Sequence, residues 1–152
     1  MFCPQYYKIV SGYGEAEFEL VSFDKALINA GVSNYNRVKV SSILPAHCVH
    51  RETIDLPEGS ILFAAYACIS IKEVSASAAV SISFPDDDNE CGVIFEASGI
   101  CLETDIRERV KNMGVRAIMS RNEKLQKQAV ASAHVSGNGE KYATAFAAVV
   151  MW

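Results

Sequence analysis

Two long runs of small residues constrain this chain more than anything else in it. Ile61–Ser70 and Ser75–Phe84 read as strands, and Ala64, Ala65, Ala76, Ala78 and Ala79 stud them with short side chains. Strands so thinly clothed imply one layer of structure lying close against another. Half of the 152 residues are hydrophobic and 21% are charged. That balance excludes disorder, because enough apolar mass is present to offset the entropy of ordering. A chain of this length buries roughly 68–70% of its unfolded surface, enough for a real core. With no repeat, low-complexity tract or Pro/Gly/Ser linker, one continuous domain over 1–152 is the simplest organisation.

Several function classes fall away on charge and hydropathy. No apolar run approaches the ~20 residues of a membrane-spanning helix, so no membrane partner is expected. Fourteen Lys and Arg against 18 Asp and Glu give a net charge of −4, a poor basis for gripping a phosphate backbone, so no nucleic-acid partner is expected. Met1-Phe2-Cys3-Pro4-Gln5 lacks the basic and then apolar pattern of a secretory signal. The cysteines, Cys3, Cys48, Cys68, Cys91 and Cys101, are odd in number. They read as reduced, mostly buried thiols of a cytoplasmic protein.

Other elements follow from local pattern. Tyr7–Ser11 is a short strand, closed by Gly12-Tyr13-Gly14. Ser22–Ala30 is a helix with Ser22 as its cap, Asp24 in its first turn, and Gly31 as its stop. Arg37–Ser42 alternates as a strand, with Val38 and Val40 on one face, and Pro45 ends it. Pro85–Asn89 is a turn leading to a strand over Cys91–Ala97. Thr104 caps a second helix whose stripe is Ile106, Val110, Met113 and Ala117. Leu125–Val135 and Tyr142–Trp152 flank Gly137-Asn138-Gly139, the signature of a hairpin. Many strands and two helices suit an α+β sandwich with helices covering sheet faces.

Most chemically suggestive clusters have plainer readings. Asp86-Asp87-Asp88 holds carboxylates that suit a hard cation, but such a triplet in a turn is ordinarily a solvated tip. His47-Cys48-Val49-His50 offers metal-ligand types without the second ligand pair that zinc sites carry. No metal is therefore expected. His134, alternating with Ala133 and Val135, reads as structural. Gly12-Tyr13-Gly14 is no dinucleotide fingerprint, and neither a P-loop nor a nucleophile elbow is present. Ser41-Ser42 stands apart for its place at a junction between strand and turn. There a serine Oγ can be held against the preceding carbonyl, and such sites often store strain. The plain alternative is two strand-end serines bonding nearby backbone.

Longer blocks sharpen the reading. Phe23-Asp24-Lys25-Ala26-Leu27-Ile28-Asn29-Ala30-Gly31, Asn34-Tyr35-Asn36 and Val40-Ser41-Ser42-Ile43-Leu44-Pro45 together resemble the pyruvoyl-dependent arginine decarboxylases. Cys91-Gly92-Val93-Ile94-Phe95-Glu96, Ala145-Phe146-Ala147-Ala148 and the final Trp152 resemble further family blocks in the expected order. The resemblance implies a four-layer αββα sandwich in trimers of cleaved pairs, or dimers of such trimers, with active sites between neighbouring subunits. It implies that Ser42 Oγ attacks the carbonyl of Ser41, that the chain divides into 1–41 and 42–152, and that a covalent pyruvoyl group is left at residue 42. That group would condense with the substrate amine and take up the electrons released with CO2, the role that pyridoxal phosphate plays elsewhere. No pyridoxal phosphate is then needed.

Residue by residue, the resemblance assigns Asn36 to assisting cleavage at the developing oxyanion and Glu96 to donating a proton. Apolar neighbours would raise the pKa of that carboxyl and suit it to the task. Asp24 would face the guanidinium of arginine, for which a carboxylate is the matching partner. Leu20 lines the same pocket. Ser33 and Tyr35 stand where the family carries smaller or purely aliphatic neighbours, and Gly12–Glu15 replaces a small polar turn; both bear on pocket size and substrate preference. The expected reaction converts L-arginine to agmatine and CO2. The rivals are the same chemistry on histidine or ornithine, or a non-catalytic sandwich subunit. Whether agmatine would feed polyamine synthesis or acid tolerance is left open.

Overall fold

The computed structural model describes residues 2–152, so Met1 lies outside the described residues. Its elements are β1 (Tyr6–Ala16), α1 (Glu19–Asn29), β2 (Asn36–Lys39), β3 (Ile43–Leu44), β4 (Val49–His50), β5 (Ile61–Ile71), β6 (Ser75–Pro85), β7 (Gly92–Gly99), α2 (Glu103–Ser120), β8 (Leu125–Ser136) and β9 (Tyr142–Met151). The strands form a mixed five-stranded sheet, β2-β5-β9-β1-β4, and a four-stranded antiparallel sheet, β3-β7-β6-β8. The domain is an α+β sandwich.

Alternation sorts the side chains between faces. Ala65, Ala67, Ala76, Ala78, Val80 and Ile82 meet Ala143, Ala145, Ala147 and Val149 in one core shared by the two sheets. The other face of the larger sheet offers Val10, Leu62, Ala64, Phe146 and Val150 to Ala26, Leu27 and Ala30 of α1. The smaller sheet gives Ala79 to Ile106 and Val110 of α2. The alanine-rich strands do pack as close layers, as their composition implies.

Several local expectations are corrected. β1 runs straight through Gly12-Tyr13-Gly14 rather than closing there. The two glycines lie beneath α1: a Cβ on Gly14 would sit 2.5 Å from the Ser22 carbonyl oxygen and 2.6 Å from the Ala26 nitrogen. Consequently they admit a helix at close range rather than making a turn. α1 begins three residues before Ser22, with Glu19 in its first turn. Ser22 is therefore no cap; its buried hydroxyl donates to the Glu19 carbonyl oxygen at 2.7 Å and lies 2.6 Å from the Thr144 hydroxyl. Since Ser22 has spent its only proton, Thr144 must donate to it and accept in turn from Ser70 at 2.7 Å. This relay ties β5 and β9 to α1.

The second helix starts at Glu103, which puts Thr104 in the first turn instead of the cap. Ile106 and Val110 are buried as the pattern predicts and Met113 packs partly buried against them, but the fully buried stripe continues through Gly114 and Ile118. No hairpin forms at Asn138-Gly139. β8 pairs with β6, whereas β9 pairs with β1 and β5, so this turn crosses between sheets. Asn138 Oδ1 accepts the Glu140 amide, Gly139 adopts φ +85°, and Gly137 and Gly139 donate to Val74 and Lys72 in the neighbouring crossing. The cysteines are all free, but Cys3, Cys68 and Cys91 are exposed and Cys48 and Cys101 half-buried. Cys48 packs against the edge of the two-sheet core and Cys101 against the core beneath α2.

The close approach of α1 to β1 yields a direct expectation. Gly14→Ala should lower unfolding stability by about 2 kcal/mol, the usual scale of overpacking, measured from urea midpoints against the parent chain. Unchanged midpoints would mean that the helix is free to lift.

Candidate functional site

The strand expected over Arg37–Ser42 stops early. β2 ends at Lys39 as the edge of the larger sheet, and β3 begins at Ile43 as the edge of the smaller one. Val40–Ser42 is the passage between them. The Val40 amide donates to Ala64 of β5 at 3.0 Å, and the Ser42 carbonyl accepts from the Ile94 amide of β7 at 2.7 Å. Ser41 is thus spanned between a bond to one sheet and a bond to the other. Left-handed backbone occurs among non-glycine residues at His47, Val74 and Asn122, and not at Ser41 or Ser42. What distinguishes the pair is a crossing pinned at both ends, not a tight turn.

The bond to Ile94 also aligns Ser42 with the strand that bears Glu96. The β3–β7 ladder sets Ile43 against Val93 and Leu44 against Gly92, and Ser42 continues it opposite Ile94. Glu96 lies two residues further on, on the face of Ile94, which is buried between the sheets. On that same face the Ser98 hydroxyl reaches the Cys68 carbonyl oxygen of β5 at 3.1 Å. Glu96 therefore points, half-buried, into the gap between the two sheets. Burial pushes its carboxyl above the ordinary glutamate value, with the Lys39 ammonium and a backbone amide pulling the other way.

Beside the crossing is a hollow of about 420 Å³, walled by Phe2, Val40, Ile43, Phe63 and Met151, with Ser41 on its lining. Lys39 stands with its Nζ 4.8 Å from the centre of the Tyr66 ring. Lys39, Phe2 and Phe63 carry no motif, and sequence reasoning passed over them. The alternation of β2 puts a charge at position 39 but not its relation to a strand of the other sheet.

The remaining expected site residues are not gathered around Ser42 within one chain. Asn36 lies at the far end of β2, on the order of 10 Å or more away at a strand's rise. Its Nδ2 donates to the Gly59 carbonyl oxygen at 2.7 Å. The Tyr35 ring packs with the α1-side core, and its hydroxyl lies 3.5 and 3.4 Å from the carbonyl oxygens of Ile54 and Leu56. Ser33, half-buried in the α1–β2 loop, donates to Asn34 Oδ1 at 3.3 Å. Asp24 is exposed on the second turn of α1, and Leu20, in the first turn, is 81% exposed. Phe18 and Val21 add further exposed apolar surface beside Leu20. Among the described residues no three His, Cys, Asp or Glu side chains converge to hold a metal ion.

Glu96 makes the site's acidity measurable. Between the ordinary carboxylate pKa and its raised folded value, the folded state binds more protons than the unfolded chain. Stability contributed by this group is therefore lost as pH rises through that window. Glu96→Gln should flatten the decline, read from urea midpoints across the mildly acidic range; an unaltered slope would contradict the assignment.

The sequence also matches known proteins over nearly its whole length. The profile of the family described as pyruvoyl-dependent arginine decarboxylase matches residues 6–152. A pyruvoyl-dependent arginine decarboxylase of Methanocaldococcus jannaschii is 33% identical over 151 residues, covering 98% of this chain and 90% of that protein. Its counterpart in Thermococcus kodakarensis is 38% identical over 143 residues, 91% of this chain and 88% of that protein. That of Methanococcus aeolicus is 34% identical over 151 residues, with coverage of 98% and 90%.

Proposed function

Because the chain belongs to the pyruvoyl-dependent arginine decarboxylase family, we propose that it forms its pyruvoyl group from Ser42 by cleaving its own backbone after Ser41. The enzyme is a carbon–carbon lyase that converts L-arginine to agmatine and CO2. The observation that carries the proposal is the pinned crossing: two backbone bonds, at Val40 and Ser42, hold the Ser41–Ser42 peptide between the sheets. Such restraint supplies orientation, which a weak hydroxyl nucleophile needs.

In maturation, Ser42 Oγ bonds to the Ser41 carbonyl carbon and the peptide C–N bond breaks, leaving an ester and a free amine at residue 42. A base then takes the Cα proton of residue 42, the Cβ–O bond breaks, and the Ser41 carboxylate leaves with the electron pair. Water adds to the tautomerised product and ammonia departs, leaving chains 1–41 and 42–152. Asn36 donates to the oxyanion of the first step. Asn36 of the same chain lies at the far end of β2 from Ser42, so this role falls to Asn36 of a neighbouring copy in a homo-oligomer, a trimer or a dimer of trimers, with the second Nδ2 hydrogen beside the one given to Gly59. The exposed edge strand β2 and the apolar surface at Phe18, Leu20 and Val21 support association on this side.

Residue 42 has surroundings that fit a small keto group: its neighbours Ser41 and Ile43 border an apolar hollow, and the strand it pairs with carries a half-buried carboxyl. When formed, the pyruvoyl group supplies a sink for the electrons released as CO2 leaves. Glu96, kept protonated to higher pH than an exposed glutamate, donates a proton to the carbon that CO2 has left. Asp24 pairs with the substrate guanidinium, and Leu20, Ser33 and Tyr35 line that end of the pocket at the subunit boundary. The scheme uses neither a metal nor pyridoxal phosphate. We read the layering of α1, the two sheets and α2 as a four-layer αββα sandwich, supported by the three separate cores. We place the enzyme in the cytoplasm, a reading that the five free thiols support.

Intact-mass analysis separates the roles. The parent chain should yield two products, the larger carrying a ketone. Ser42→Ala should remain whole, whereas Glu96→Gln should divide normally but turn over arginine at least tenfold more slowly, the scale of a lost general acid. Failure of both variants at the same step would overturn the division of labour. Turnover of arginine, histidine and ornithine should favour arginine, and Asp24→Ala should erase that preference.

A further inference from the structure

The ester between Ser41 and residue 42 has two fates, and they need water in different places. Elimination expels the Ser41 carboxylate and leads to pyruvoyl; hydrolysis adds water at the Ser41 carbonyl and returns an ordinary serine at the head of the 42–152 chain. Productive maturation therefore requires a dry Ser41 carbonyl, with water admitted to residue 42 only afterwards. The structure is asymmetric in this sense. Ser41 borders the apolar hollow, whereas residue 42 is aligned with the strand carrying Glu96.

One wall of that hollow comes from far away in sequence. Phe2 is 67% exposed, yet its ring stacks on that of Phe63 with centroids 5.3 Å apart and planes inclined by 28°. Ser41 and Ile43, the residues flanking Ser42, line the hollow that these rings enclose. Apolar walls offer water no hydrogen-bonding partners and disfavour its ordered placement beside the carbonyl.

We propose that Phe2, stacked on Phe63, shields the Ser41 carbonyl from water and so steers the ester toward elimination rather than hydrolysis. Phe2 is a positioning residue that acts on the outcome of maturation, not on the decarboxylation that follows. The proposal rests on self-cleavage at Ser41–Ser42. It assigns a purpose to an exposed aromatic that the fold does not require.

The test is intact-mass analysis of the 42–152 chain from the parent protein, Phe2→Ala and Phe2→Leu. A chain beginning with pyruvoyl is lighter than one beginning with serine by one ammonia, so the two fates are counted directly. Phe2→Ala should raise the serine-headed fraction several-fold, and Phe2→Leu, which keeps the wall apolar, should restore the parent proportion. Cleavage of Phe2→Ala with an unchanged proportion, at whatever rate, overturns the role of Phe2 and leaves self-cleavage standing. A parent chain that stays whole overturns self-cleavage, and this proposal with it.

Discussion

The short passage from Val40 to Ser42 determines how the rest of this molecule is used. A chain leaving one sheet for another can do so through a loop with slack. Here the Val40 amide is bonded to the larger sheet and the Ser42 carbonyl to the smaller, so Ser41 has little freedom. Holding a residue this way costs about 1–2 kcal/mol of backbone entropy. The two strand ladders on either side offset it. The alanine cores matter to this geometry because they set how far apart the sheets lie, and hence how far the passage must reach.

From that constraint the division of the surroundings follows. β3 continues from the passage onto the edge of the smaller sheet and brings residue 42 to β7, where alternation directs Glu96 into the gap between the sheets. On the other flank, side chains from the N-terminal segment, the passage itself, β3, β5 and β9 leave an apolar hollow at Ser41. One side is suited to withholding water and the other to holding a proton. α1, with Asp24 and Leu20 exposed, packs on the outer face of the larger sheet, opposite the core shared by the two sheets.

Legibility from sequence varied with how local the cause was. The alanine runs announced close layers, and the joined blocks around Asp24, Asn36 and Ser41-Ser42 identified the family. Glu96 was found through its block, and its raised pKa followed from apolar neighbours that the sequence displays. What failed was non-local. Gly12 and Gly14 resemble a turn until the helix lying over them is known. Asn138-Gly139 resembles a hairpin because the sequence does not say that its flanking strands belong to different sheets. The end of the Arg37–Ser42 strand at Lys39 was equally hidden, since Val38 and Val40 alternate across it. Phe2 and Phe63 carry no signal, because their relation to Ser41 exists only after three distant segments have met.

The central claim is that restraint of the passage, rather than serine chemistry alone, makes residue 42 able to cut the chain. Inserting one glycine between Val40 and Ser41 gives the passage slack while keeping both serines, Asn36 and Glu96. Followed by intact mass over time alongside the parent, the folded insertion variant should remain a single chain. Division of that variant at the parent's rate would contradict the account.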